Sequence, residues 1–202
     1  MNRKFYQWAV LLTCSALAAC SSGKKPQPVV YLEKPAVTAQ WMSAKEMQLR
    51  ESIKGSPFTL HQHGSAWVVT APAQLSFNPD RPALLLPAVL RPLTKIAKLM
   101  EASPESAVLI LGHTDASNND KANHTLSTDR ARSVASIFSL SGLNGGRMTR
   151  LGMGSLYTLP TAKNVAQNHR VEIIITPRTH IQDVIAEYRP AHVRLLALSV
   201  TR

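Results

Sequence analysis

Apolar residues recur along this chain in two rhythms, and the switches between them mark out helices and strands. Leu90, Leu93, Ile96, Ala97 and Met100 stand at helical spacing, so Leu84 to Met100 is predicted to be a helix with one apolar face. Pro87 and Pro92 fall inside it. One can occupy the first turn, where no backbone donor is needed, and the other is expected to kink or divide the helix. Ala107 to Leu111 is an unbroken apolar run, the pattern of a strand covered on both faces. A second helix is predicted from Asn123 to Leu140, terminated by Gly142. Strands follow at Arg147 to Gly152 and Arg170 to Thr176, the latter stopped by Pro177. Gln74 to Phe77 reads as one more short strand, ending in the turn residues Asn78-Pro79-Asp80. The order is strand, helix, strand, helix, strand, strand. That order predicts an α/β sandwich with helices packed on one side of a mixed sheet.

The flanks carry their own patterns. Ser43 and Glu46 have capping-box spacing, and Leu49 and Ile53 share a face, so a short helix ending at Gly55 is expected. Phe58 to His63 and Ala66 to Thr70 read as a hairpin around Gly64-Ser65. Beyond Pro177, Ile181, Val184, Ile185 and Tyr188 follow helical spacing, and Pro190 interrupts before VRLLALSV. This tail has two readings: a helix covering the domain's own sheet, or a docking surface for another protein. Residues 21 to 40 hold three prolines, two serines and little periodicity, as an extended tether does. At the start, Arg3 and Lys4 precede a largely apolar run from Ala9 to Ala19, too short to span a bilayer as a mature helix. It is expected to be an export signal. Its close, Leu17-Ala18-Ala19-Cys20, resembles a bacterial lipobox, in which the cysteine is acylated and becomes the new N-terminus. Ser21 and Ser22, in place of an aspartate, resemble a sorting signal for the outer membrane. The expected segments are therefore residues 1–19 as signal peptide, 20–42 as lipidated Cys20 and tether, 43–71 as helix and hairpin, 72–176 as core domain, and 177–202 as an amphipathic extension.

Charge sharpens the choice of partner. The formal net charge of +11 would fall to +9 on processing, since Arg3 and Lys4 leave with no acid. A basic balance often points to nucleic acid. An exported chain points instead to the anionic cell wall. With Cys14 removed and Cys20 acylated, no disulfide is expected in the mature chain.

The candidate chemistry lies between Leu109 and Arg132. On the second core helix, Leu126, Arg130, Val134, Ile137 and Phe138 fall on one stripe, and Asn123 lies on it nearer the N-terminus. An arginine on an inward stripe is costly unless it is paired or meets an anion. Asp115, at the end of the preceding strand, is the evident partner. Together they can hold a molecule bearing both an ammonium and a carboxylate, the guanidinium taking the carboxylate in a two-pronged bond. A purely structural ion pair is the other reading of the same two residues. Asp129 and Arg132 fall off the stripe and are expected in solvent.

Several separated blocks resemble the OmpA C-terminal-like, peptidoglycan-associated domain. They are Gly112-His113-Thr114-Asp115, Asn123, Leu126-Ser127, Arg130-Ala131, Gly152-Met153-Gly154, Pro160 and Asn168-His169-Arg170-Val171-Glu172, covering about Pro72 to Thr176. The resemblance implies non-covalent binding of peptidoglycan through the diaminopimelate of its stem peptide, with Asp115 and Arg130 on the ligand's charged ends. It implies a pocket wall at Asn123 and a framework role for Thr114, and it adds Arg170 to the ligand-binding set. Asn118 stands where the family usually has glycine, and His169 where it usually has arginine. The layout is also similar to accessory lipoproteins of the Dot/Icm type IVB secretion apparatus. That implies an alternative role as a structural part of an envelope machine with weakened wall binding. The expected partners are thus peptidoglycan, outer-membrane lipid through Cys20, and other envelope or secretion proteins, with no nucleic acid. The expected location is the outer membrane, facing the periplasm.

Other candidates are weaker. His61 and His63 alternate along a strand without a third metal ligand at a telling distance, so solvated side chains are expected. His113 is expected to be framework at a strand end. Gly152-Met153-Gly154 lacks the third glycine of a dinucleotide loop. No nucleophile has a plausible base, so neither an enzyme nor a cofactor is expected.

Overall fold

The computed structural model of the chain describes residues 36–116, 119–158 and 165–200. The export signal, Cys20 and most of the tether lie outside the described residues, as do Asn118 and Pro160.

The first helix, α1 (Ala39–Ile53), starts four residues before the expected Ser43. Thr38 supplies its cap: the Trp41 N–H donates to Thr38 Oγ1 at 3.1 Å. Glu46 accepts instead from Arg50 one turn on, at 2.7 Å. Strands β1 (Thr59–His63) and β2 (Ala66–Pro72) form the expected hairpin. Gln74 to Phe77 departs from expectation, because Ala73–Ser76 is a helical turn, α2. Leu75 is thereby exposed while Phe77 is buried, which a strand's two-residue alternation would not allow. Pro72 ends β2, and the Ala73 N–H donates to the His169 carbonyl at 2.8 Å.

Helix α3 (Pro87–Glu101) carries Pro87 in its first turn and continues undivided past the buried Pro92. Strand β3 (Ser106–His113) leads to α4 (Asp120–Leu140), whose cap Asn119 accepts from the Ala122 N–H at 2.8 Å. Gly142, at φ +97°, turns the chain out of the helix. Strands β4 (Met148–Gly152) and β5 (Arg170–Pro177) complete the sheet, and α5 (Ile181–Val200) closes the described chain.

The sheet runs β1-β2-β5-β3-β4, with β3 and β4 parallel and the other neighbours antiparallel. This is the mixed α/β architecture read from the sequence, with two corrections. The hairpin, expected to precede the core, forms its first two strands, because β2 pairs with β5 about a hundred residues later. The helices are also not confined to one side. One face packs Val69, Val108, Ile110, Ile173 and Ile175 against Leu49, Leu93, Ile96, Val134 and Phe138 of α1, α3 and α4. The opposite face packs Val68, Leu109, Leu111 and Ile174 beneath Ile185 and Tyr188 of α5. The tail therefore covers the domain's own sheet. This explains why β3 and β5 are apolar on both faces: each side has a helix to bury against, and each buried Ile or Leu contributes roughly 1.5–3 kcal/mol. Among the described residues, no helix is long and apolar enough to cross a membrane.

Candidate functional site

Arg130 enters the site from α4, on the inward face shared with Asn123, Ser127, Val134 and Phe138. Its Nε donates to the Pro82 carbonyl at 2.8 Å, and its guanidinium carbon lies 5.4 Å from the Phe77 ring centre. The turn of residues 78–82 is itself braced, since Asn78 Oδ1 accepts from the Asp80 and Arg81 N–H groups. Burial lowers the Arg130 pKa, and the Asp115 charge works against that shift. The guanidinium is thus fixed on one edge by the Pro82 carbonyl and over one face by the Phe77 ring.

Asp115 follows β3 and is buried. The contact joining it to Arg130 runs through His169. The His169 Nε2 lies 3.1 Å from Asp115 Oδ2, and its Nδ1 lies 3.5 Å from Arg130 Nη1. Arg130 and His169 together line a cleft of about 290 Å³ with Ala73, Gln74, Phe77, Asn78, Pro79 and Pro82.

The other expected site residues fall in different places. Thr114 is fully buried and its N–H donates to the Gly154 carbonyl at 2.8 Å, a framework position. Asn123 is buried on the Arg130 face of α4, toward the helix N-terminus. Arg170 is a correction: it points to the opposite face of the sheet. Strand alternation puts it beside Glu172 and Ile174, while Val171 and Ile173 face α4. Its Nε donates to Glu172 Oε1 at 2.7 Å and its Nη2 to the Tyr157 carbonyl at 3.2 Å. It is thus part of an internal network and does not reach the Arg130 cleft.

That network includes His113, whose Nε2 lies 3.3 Å from Glu172 Oε2. Burial pushes the His113 pKa down, with Glu172 opposing. Burial alone would raise the Glu172 carboxyl, yet His113 and Arg170 together hold it at about 2. His61 and His63 are exposed, and His63 pairs with Glu187 of α5 at 3.1 Å. Asp129 and Arg132 bond each other at 2.6 Å on the exposed side of α4. Gly152-Met153-Gly154 clamps two strand ends, with the Met153 N–H donating to the Gly112 carbonyl at 2.8 Å.

His169, Phe77 and the Pro82 carbonyl were not anticipated as site groups. At position 169 the sequence shows only a departure from the family's usual arginine. Phe77 and Pro82 meet Arg130 about fifty residues along the chain, and no local pattern announces such a contact.

A model of the OmpA family matches residues 76–172. The probable lipoprotein YiaD of Escherichia coli is 31% identical over 140 residues, spanning 68% of this chain and 64% of that protein. The peptidoglycan-binding protein ArfA of Mycobacterium bovis is 33% identical over 96 residues, spanning 46% and 29%. This chain thus covers less than two thirds of either relative. The outer-membrane lipoprotein YfiB of Pseudomonas aeruginosa is 32% identical over 123 residues, spanning 58% of this chain and 70% of that protein. Among solved structures, a putative MotB-like protein from Desulfovibrio vulgaris superposes with a TM-score of 0.56 at 25% identity, covering 69% and 95%.

Proposed function

Because the chain belongs to the OmpA family, a structural rather than enzymatic one, we propose that it grips peptidoglycan non-covalently at the Asp115–Arg130 site. The observation that carries this reading is the buried Arg130 guanidinium on the wall of an open cleft, fixed on one side by Pro82 and Phe77. A guanidinium so fixed has little orientational freedom left to lose when it meets a carboxylate. Asp115 supplies the complementary anion for an ammonium. A diaminopimelate centre offers both groups on one carbon, so it is the stem-peptide feature that fits. Asn123 and Thr114 shape the surroundings rather than line the cleft. Support also comes from the names of the relatives, one a peptidoglycan-binding protein and two of them lipoproteins.

Retention of the purified protein on isolated sacculi tests the reading. Asp115→Ala and Arg130→Ala are each expected to weaken retention roughly ten- to a hundredfold, the worth of a hydrogen bond to a charged group. Equal retention of both variants and wild type would overturn it. The lipobox reading adds an outer-membrane anchor at Cys20, with the domain facing the periplasm. Cys20→Ser is expected to lose palmitate labelling and to move the protein from the membrane to the soluble envelope fraction; unchanged labelling would refute the anchor.

The alternative role, as part of a secretion apparatus, would give a use to the additions flanking the core, which a plain wall anchor does not need. Those additions have uses inside the domain. α1 packs on the core, the β1–β2 hairpin extends the sheet, and α5 covers its second face. Wall anchoring is therefore the better supported of the two.

A further inference from the structure

The cleft that exposes Arg130 does not expose Asp115. Its wall is made by Arg130 and His169, together with Ala73, Gln74, Phe77, Asn78, Pro79 and Pro82, while Asp115 keeps only 5% of its surface accessible. The His169 ring stands between, meeting Asp115 through Nε2 and Arg130 through Nδ1. Arginine can only donate, so Nδ1 must accept and Nε2 must carry the proton that it donates to Asp115. One neutral tautomer satisfies both contacts, and in it His169 occupies the two groups that a zwitterionic ligand needs.

We propose that His169 is a positioning residue that screens Asp115 from the cleft, so that an incoming ammonium must displace the ring, and that protonation of the ring opposes this displacement. The proposal rests on the wall-binding reading above. A second ring proton would set Nδ1–H against the Arg130 N–H groups and open that contact. It would also turn the Asp115 contact from a hydrogen bond donated by a neutral ring into an ion pair, which holds the carboxylate more strongly. The ligand's ammonium would then have to displace a cation from a buried carboxylate.

The charges around the ring are few. Among the described residues, Asp115 faces it from the loop after β3 and Arg130 from α4. Gln74 and Asn78, across the cleft, are uncharged. Asp80 is exposed and does not line the cleft, and Arg170 and Glu172 point to the other face of the sheet. The ring's charge state therefore acts mainly on Asp115 and Arg130.

Sacculus retention of the full-length protein in detergent, at about pH 7.5 and about pH 5.5, brackets the range in which histidines change charge. Wild type is expected to lose roughly fivefold or more on going to the lower pH. His169→Asn, which has no titrating ring, is expected to hold the same retention at both. His169→Lys fixes a cation beside Asp115 and is expected to bind weakly at both. Asp115→Ala is run in parallel. If Asp115→Ala binds like wild type, the wall-binding site itself is wrong. If Asp115→Ala fails to bind while His169→Asn shows the wild-type pH loss, or His169→Lys binds like wild type at the higher pH, the role of His169 is overturned.

Discussion

Replacing Gly112 with alanine is expected to destabilise the domain by about 3 kcal/mol or more, the upper part of the range for overpacking. For a chain of this size that lowers the melting temperature by roughly 6–12 °C, readable by thermal unfolding. A β-carbon at Gly112 would overlap the Ser127 carbonyl oxygen and lie 2.7 Å from its carbonyl carbon and 3.1 Å from its α-carbon. All three are backbone atoms in the middle of α4, so no rotamer change relieves the clash. The neighbouring strand has the same requirement. Gly112 pairs with Gly152, where a β-carbon would lie 2.7 Å from the Thr128 nitrogen and 2.9 Å from Ser127 Oγ. The two glycines form a flat seat on which α4 rests, and the Ser127 hydroxyl pins that seat by accepting from the Gly154 N–H at 3.0 Å. Pushing α4 off it would move Arg130, three residues past Ser127, away from Asp115. Wall retention is therefore expected to fall with stability. Gly145→Ala is the control, because nothing lies within 4 Å of its would-be β-carbon. It is expected to change stability by no more than about 0.5 kcal/mol. A Gly112→Ala protein as stable as that control would refute the close-seating account.

The parts of this molecule that could be read from the sequence are those whose information is local. α3 and α4 carry long apolar stripes, and β3 and β5 carry apolar runs, so each was found to within a few residues. Asp115 and Arg130 stood out because a charged residue interrupts an otherwise apolar pattern beside a strand end. What was missed depends on long-range pairing. Gln74 to Phe77 can be written as strand or as helical turn, and the choice is made by where β2 ends against β5. The hairpin's membership of the main sheet is set by contacts a hundred residues apart, on which turn chemistry is silent. Arg170 is different, since strand parity alone separates it from Val171 and Ile173 and puts it with Glu172. The family motif groups it with the ligand site, whereas its place in β5 sets it beside Glu172 on the other face of the sheet. His169 had no such signal. Its role appears only when the end of one loop, the start of β5 and the face of α4 are brought to one point.

That misassigned arginine leads to the second large effect. Glu172→Ala is expected to cost about 3–5 kcal/mol near neutral pH, the usual penalty for leaving one member of a buried ion pair without its partner. Arg170 is 3% exposed and, among the described residues, would keep the Tyr157 and Asn168 carbonyls, which cannot neutralise its charge. The effect should depend on pH in a specified direction. The folded Glu172 carboxyl titrates at about 2, below its ordinary 4.5, so the folded state favours the ionised form. Its contribution is complete above 4.5 and is lost as the pH falls from there toward 2. His113 acts higher on the scale. Its pKa is lowered from 6.5 by burial, so the unfolded chain takes up that proton first and wild-type stability begins to decline below 6.5. Unfolding measured against pH should therefore show wild type weakening in two stages. The gap between wild type and Glu172→Ala should widen below 6.5, because the variant lacks the carboxylate that opposes the fall in the His113 pKa, and should narrow from 4.5 toward 2, where protonation removes the same charge that the substitution removes. A gap of constant size from about pH 7 to about pH 3 would mean that the Arg170–Glu172 pair is not what holds this side of the sheet together.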